Sequence, residues 1–278
     1  MHITTLKTKH FQMKQTKIVS HDTVFIKRVC AYYKKHGRHD LPWRVRISPY
    51  RILVSEIMLQ QTQVSRVLPK FNLWMKQYST LSSLRKASFK DVLSLWQGLG
   101  YQRRAKALHA IAKSRTSIPT SFESILDLPG VGKYTASAIC AFAFNGFTHP
   151  MLETNIRTAL INEYHLGKIK IDDDILYTDL NRLEKTTHVQ KIGAREWYYA
   201  LMDYGAYLKA LKISHNQKSA HYVKQSPYKG SVRELRAKIL FTITHGTKIP
   251  DDTRAPVVIE KLIQEKYLMK KGKGYVIL

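Results

Sequence analysis

Three groups of residues in this chain could do chemistry. The first is Leu128-Pro-Gly-Val-Gly-Lys-Tyr-Thr-Ala136. Gly130 and Gly132, with Val131 between them, allow a sharp turn between two helices and close approach by a ligand. The N–H groups at the start of the next helix, near Lys133, lack helical partners and suit an anion, and Lys133 adds a positive charge. An ordinary helix–turn–helix corner has the same local pattern. The second is Gln60-Gln-Thr-Gln63, a polar interruption in an apolar helical region, either a solvated face or a set of groups for a polar partner. The third is Glu56, set between Val54 and Ile57 and next to Met58. Partial burial would let such a carboxyl keep its proton at neutral pH and act as a general acid, although a lone helical Glu is otherwise a solvated charge. Asp172-Asp-Asp174 has the composition of a metal site but fits better as an acidic cap on a helix beginning at Ile175.

The charge balance favours a polyanionic partner. Of 278 residues, 46 are Lys or Arg and 20 are Asp or Glu, a net +26. Two cysteines, Cys30 and Cys140, exclude a disulfide framework and any four-cysteine zinc or iron–sulfur site. No apolar run approaches the ~18 residues that span a bilayer. The first twenty residues are polar and basic, without a signal-peptide core, so a soluble intracellular protein is expected.

The elements that must position these groups show helical period almost throughout, and the expected fold class is all-α. Val24, Ile26, Val29, Cys30 and Tyr33 suggest one helical face. A turn region over 36–49 leads into a long helical stretch with Ile52, Ile57, Leu59 and Val64. Ser88, with Asp91 three residues later, caps a helix that Gly98 and Gly100 end, and Arg103–Ser114 is helical again. Residues 1–22 form a basic, mobile tail and 212–226 a polar linker. In 227–278, Ser231-Val-Arg-Glu234 opens a helix, 254–266 is helical, and two short strands flank Lys271-Gly-Lys-Gly274. That order resembles a winged-helix module. Residues 209–278 carry 15 Lys and Arg against five Asp and Glu.

The chain resembles the helix–hairpin–helix DNA glycosylases, the family of endonuclease III and the adenine glycosylase MutY. The likeness rests on six blocks in family order: Leu41-Pro-Trp-Arg44, Pro49-Tyr50, Ser55–Val64, Trp96-Gln-Gly-Leu-Gly-Tyr101, Leu128–Ala136 and Ala200-Leu-Met-Asp-Tyr-Gly-Ala206. It covers roughly two thirds of the chain, and the Ser55–Val64 block is similar to the MutY branch. The resemblance implies a two-lobed fold. The central lobe would be 47–150, with the hairpin at 128–136. The other lobe would combine 23–46 with 151–211, and a cleft between the lobes would hold Glu56 and Glu153. It implies a mismatched double-stranded DNA partner, a monomeric protein and a cytoplasmic, nucleoid-associated location. It also implies hydrolytic removal of adenine opposite 8-oxoguanine or guanine, from a base flipped out of the duplex.

The resemblance assigns roles to particular residues. Glu56 is the acid that protonates adenine. Glu153 stabilises the cationic sugar, with Asn155 beside it. Tyr134 helps orient acid and water. Trp43, Arg44 and Leu59 line the base pocket. Gln61 and Tyr101 wedge into the base stack, and for Tyr101 the alternative is core packing. Gly130, Val131, Gly132 and Lys133 grip the backbone, with Lys271 and Lys273 added by the basic tail.

Several positions depart from the family pattern. Glu153 stands where the family has Asp, one methylene shorter. Tyr134 stands where bifunctional members carry a Schiff-base lysine, so lyase activity should be weak or absent. Tyr199 stands where MutY relatives commonly have Gln or Glu. The stretch Tyr207–His215 lacks the cluster cysteines, so the chain resembles the clusterless branch. No cofactor is expected, beyond room for a monovalent cation at the hairpin. The basic tail would replace the cluster loop as a DNA anchor. Two other functions stay open: excision of T or U opposite G, and DNA binding with weakened catalysis.

Overall fold

The computed structural model describes residues 2–220, 226–272 and 274–278, with 2–18 as backbone only. In chain order its helices are α1 (His2–His36), α2 (Pro42–Val45), α3 (Pro49–Leu59), α4 (Val64–Gln77), α5 (Leu81–Lys86), α6 (Phe89–Trp96), α7 (Arg103–Ser114) and α8 (Phe122–Leu126). They continue with α9 (Lys133–Phe144), α10 (Thr154–Tyr164), α11 (Asp173–Glu184), α12 (Thr187–Ile192), α13 (Ala194–Ala210), α14 (Val232–His245) and α15 (Ala255–Gln264). Strands β1 (Leu268–Lys271) and β2 (Gly274–Ile277) pair antiparallel, with Leu268 opposite Ile277. The all-α expectation holds, this hairpin being the one sheet among the described residues. No helix of the described residues is long and apolar enough to cross a membrane.

The chain divides into two compact units, one of residues 1–40 and 140–223, the other of 41–139 and 224–278. In the first unit α1 and α10 both pack on α13. Of residues 1–22, expected as a tail, Met1 lies outside the described residues, and 2–22 are continuous with the rest of α1, because residues 2–36 contain no Gly or Pro to stop a helix once it has formed. Val24 does not share the apolar face: it is solvent-exposed, and Phe25 joins Ile26, Val29 and Tyr33 in the core. Asp203 accepts hydrogen bonds from Arg38 N (2.8 Å) and Nε (2.7 Å), which pins the end of α1 to α13. Gly205 lets α10 come close, since a Cβ there would lie 2.0 Å from the Asn155 carbonyl oxygen. Buried Asp22 is held by Tyr164 Oη (2.9 Å) and Arg182 Nε (2.8 Å).

The second unit is built on buried aromatics. Trp74 and Trp96 meet edge to face, and Trp74 Nε1 donates to Tyr50 Oη (3.1 Å), which donates to the Tyr78 carbonyl (2.9 Å). Side-chain caps from Ser48, Thr80, Ser88 and Ser121 start α3, α5, α6 and α8. The stretch 227–278 is part of this unit, with two helices ahead of the hairpin rather than the usual three of a winged helix. Its Tyr267 ring is buried against Phe89, with the cations of Lys106 (4.7 Å) and Arg236 (4.8 Å) over it.

Candidate active site and nucleic-acid interface

The glycine hairpin lies in the second unit. It starts as α8 ends at Leu126 and finishes at Lys133, the first residue of α9. The two glycines serve different needs. Gly130 has φ +75°, and a Cβ on it would meet the Ala107 Cβ at 2.7 Å, so it serves both backbone and packing against α7. Gly132 has open space where a Cβ would be, the side from which an anion could approach the start of α9. Val131 is buried beneath the turn and Lys133 is exposed. Gln60 ties the hairpin to the end of α3: its Nε2 donates to the Gly130 carbonyl and to Thr135 Oγ1, both at 3.2 Å.

Glu56 is buried on α3 in a run of buried residues from Ile52 to Met58. The helix ends at Leu59, half-buried, and the chain turns at Gln61, which is exposed with φ +53°. Tyr101 likewise sits in a turn with φ +46°. Left-handed backbone costs a non-glycine residue about 1–3 kcal/mol and persists only where surroundings enforce it. Here one side chain enforces both turns. Arg104 Nη1 donates to the carbonyls of Ile57 (3.0 Å), Met58 (2.7 Å) and Gln60 (2.7 Å). Its Nη2 donates to Thr62 Oγ1 (3.1 Å) and to the carbonyls of Leu99 (2.8 Å) and Gly100 (3.2 Å). The guanidinium thus satisfies the end of the helix that carries Glu56 and braces both strained turns. Burial pushes its pKa down to about 10. Sequence reading passed over Arg104, although it shares a helical face with buried Leu108 and Ile111, an unusual place for a charge.

Tyr101 also meets the C-terminal stretch. Arg233 Nη1 of α14 donates to its hydroxyl (2.6 Å), and the Arg233 guanidinium lies 5.6 Å from the ring centre. The core-packing alternative for Tyr101 is only half met, since the residue keeps an exposed part.

In the first unit, Glu153 is the N-cap of α10. Its Oε1 accepts from the backbone N–H groups of Asn155 (2.8 Å) and Ile156 (2.9 Å), and its Oε2 from Asn155 Nδ2 (3.1 Å). The Asn155 beside it is therefore a direct partner of the carboxylate. The preceding segment is held from below: Met151 N donates to the buried Tyr198 hydroxyl (2.9 Å), which in turn donates to Glu184. Burial raises the Glu184 carboxyl pKa. Lys209 Nζ donates to Thr154 Oγ1 (2.8 Å), and burial lowers its pKa while nearby Glu153 opposes that.

The remaining predicted residues are scattered. Trp43 is core, edge-on to Phe71 at 5.1 Å, and Arg44 is half-buried next to it on α2. Tyr134 is half-buried in the first turn of α9. Tyr199 is buried and stacked on Phe142 at 4.4 Å. Asp172 caps α11 as expected, which therefore starts at Asp173, two residues earlier than the sequence suggested. Lys271 is exposed at the end of β1, and Lys273 lies outside the described residues. Neither Cys30 nor Cys140 takes part in a disulfide. Among the described residues, no group of three or more His, Cys, Asp or Glu side chains could hold a metal.

The turn between α8 and α9, with the helices on either side of it, makes a helix–hairpin–helix element. The family model described as HhH-GPD superfamily base excision DNA repair protein matches residues 54–225, more than half of the chain, and the chain belongs to that superfamily. The adenine DNA glycosylase of Buchnera aphidicola subsp. Acyrthosiphon pisum (strain APS) is 35% identical over 188 residues, which cover 66% of this chain and 53% of that protein. The adenine DNA glycosylase of Mycobacterium tuberculosis (strain ATCC 25618 / H37Rv) is 43% identical over 141 residues, covering 49% and 46%. The chain thus spans about half the length of the curated relatives it matches. A solved thermostable thymine-DNA glycosylase shares the fold, with a TM-score of 0.60 and 24% identity over 72% of this chain and 93% of that one.

Proposed function

We propose that this chain is a monofunctional DNA glycosylase that hydrolyses the N-glycosidic bond of adenine mispaired with 8-oxoguanine or guanine. The observation that carries the reading is the buried Glu56 carboxyl, on a helix whose end Arg104 braces beside the hairpin. Glu56 protonates adenine at N7, and the glycosidic bonding pair leaves with the base. Positive charge then builds on the sugar. The Glu153 carboxylate stabilises it, oriented by Asn155 and the start of α10. Water adds to the sugar and gives up a proton to the Glu56 carboxylate, which restores the acid and leaves an abasic site. Tyr134 orients acid and water and offers no amine for a Schiff base, so strand cleavage does not follow. Trp43, Arg44 and Leu59 shape the base site, while Gln61 and Tyr101 fill the gap left by the flipped base. The hairpin, with Lys133, holds a phosphate of the DNA, and Lys271 and Lys273 add to the basic surface. The enzyme acts as a monomer on mismatched duplex DNA in the cytoplasm. It works without an iron–sulfur cluster, and a monovalent cation fits at the hairpin.

The relatives named adenine DNA glycosylases support adenine over the pyrimidine alternatives. Single-turnover reactions on duplexes with A opposite 8-oxoguanine, A:G, T:G and U:G test the reading. Abasic sites should form in the two adenine duplexes alone. Product from T:G or U:G alone would replace adenine by a pyrimidine. Binding without product from any duplex would mean a DNA-binding protein with lost catalysis.

A further inference from the structure

The second unit contains a cavity of about 1140 Å3 that the hairpin and Glu56 do not account for. One wall is made by the Gln61 and Tyr101 turns, the other by α14, so the basic C-terminal stretch closes it. Five cations line it, Arg66, Arg103, Arg233, Arg236 and Lys238, against the single carboxylate of Glu265. Glu265 pairs with Arg236, and Glu234 pairs with Lys238 at 2.9 Å. Arg233 is bound to neutral groups, the Tyr101 hydroxyl and the Ser226 carbonyl (2.7 Å). Among the described residues, Arg66, Arg103 and Arg233 have no carboxylate within ion-pair distance. The lining also holds exposed aromatic surface: Tyr228 is 52% and Phe241 46% exposed.

Guanidinium groups without counter-charges attract phosphate, and exposed rings stack on bases. The cavity is continuous with the Gln61 and Tyr101 turns, which the proposed function sets against DNA, and this suits a segment of polymer. We propose that the cavity between α14 and the Gly98–Arg103 turn is a second nucleic-acid site, one that takes an unpaired nucleotide of a DNA strand. The base lies on the aromatic wall and the phosphate meets Arg233 and Arg103. A free nucleotide has the same chemistry, so the test compares the two. The inference rests on the reading that this chain acts on DNA, and the two fail in different ways.

The full chain is titrated against a fluorescent adenine-containing mismatched duplex with a short single-stranded overhang, and against the blunt duplex, at several salt concentrations. Ala237→Trp fills the cavity without removing charge, and Arg103→Gln removes an exposed charge at its rim. The overhang should strengthen binding several-fold in the native chain, and Ala237→Trp should abolish that gain. Arg103→Gln should lower the salt slope by about one, and Arg103→Lys should restore it. Equal gain from the overhang in the native chain and both variants, with melting temperatures unchanged, would overturn the proposal. Competition by a mononucleotide as effective as that by an oligonucleotide would also overturn it, in favour of a free-nucleotide site. Base release from the same duplex, measured with protein in excess, separates the readings. Release without an overhang effect contradicts this inference alone, while the absence of both binding and release contradicts the glycosylase reading as well.

Discussion

Arg104 is the residue on which most of the candidate site depends. Its guanidinium answers five carbonyls and one hydroxyl, so a shorter apolar side chain would leave the end of α3 and two turns unsatisfied at once. Each buried orphan costs ~1–3 kcal/mol, partly relieved by water. Arg104→Met is expected to lower stability by about 3 kcal/mol in urea unfolding, and a loss below about 1 kcal/mol would show that the turns hold themselves. Glu184 offers a pH test. Its folded pKa is raised by burial, so its contribution to stability is fully present below the unfolded carboxyl pKa of ~4.3 and is lost as pH rises through the raised value. Glu184→Gln keeps an acceptor for Tyr198 and removes the cost of ionisation. The variant should therefore gain on the native protein between acid and neutral pH in paired unfolding curves. A difference independent of pH would place the Glu184 carboxyl pKa at its ordinary value.

At the scale of elements, much was legible in the sequence. Ser88 with Asp91 and Ser231 with Glu234 marked helix starts because capping needs short polar side chains at that spacing, and both caps are made. Arg103–Ser114 was bounded correctly because Gly98 and Gly100, at φ +89° and +70°, stop the helix before it. The hairpin was legible for the same reason. What stayed hidden was contact between distant segments. No local pattern says that Gly205 exists for the Asn155 carbonyl, or that Asp203 waits for Arg38. Nor does periodicity show that Glu153 folds back to cap α10, the bland role that any acid before a helix can play. Gly205→Ala tests this packing. The added methyl must push α10 from α13, and the expected cost is about 2–3 kcal/mol, read as a lower urea midpoint. Unchanged stability would mean that the two helices can separate without loss.

For the molecule as a whole, the +26 charge first pointed only to some polyanion. The structure divides that charge by setting. Arg182, Arg157 and Arg38 are spent on internal carboxylates, whereas Lys133 and Lys271 are exposed. The C-terminal stretch is built into the unit that carries Glu56 and the hairpin, through Tyr267, so deleting it would uncover Phe89 and Lys106. A truncation near residue 212 would test folding as much as binding, and point changes are the better probe of the anchor idea. Binding to duplex DNA should fall steeply with salt, and Lys133→Gln should reduce the slope by about one without changing the melting temperature. A slope unchanged in that variant would remove the hairpin lysine from the phosphate contacts.

The central claim is that the buried Glu56 carboxyl drives release of adenine. It is tested most directly by chromatographic measurement of free base from a duplex with adenine opposite 8-oxoguanine, using native protein and Glu56→Gln in excess over DNA. The account predicts stoichiometric free adenine from the native chain and a loss of rate of at least about a hundredfold in Glu56→Gln, the scale of general acid catalysis, with duplex binding retained. Adenine release at the native rate by Glu56→Gln would contradict it.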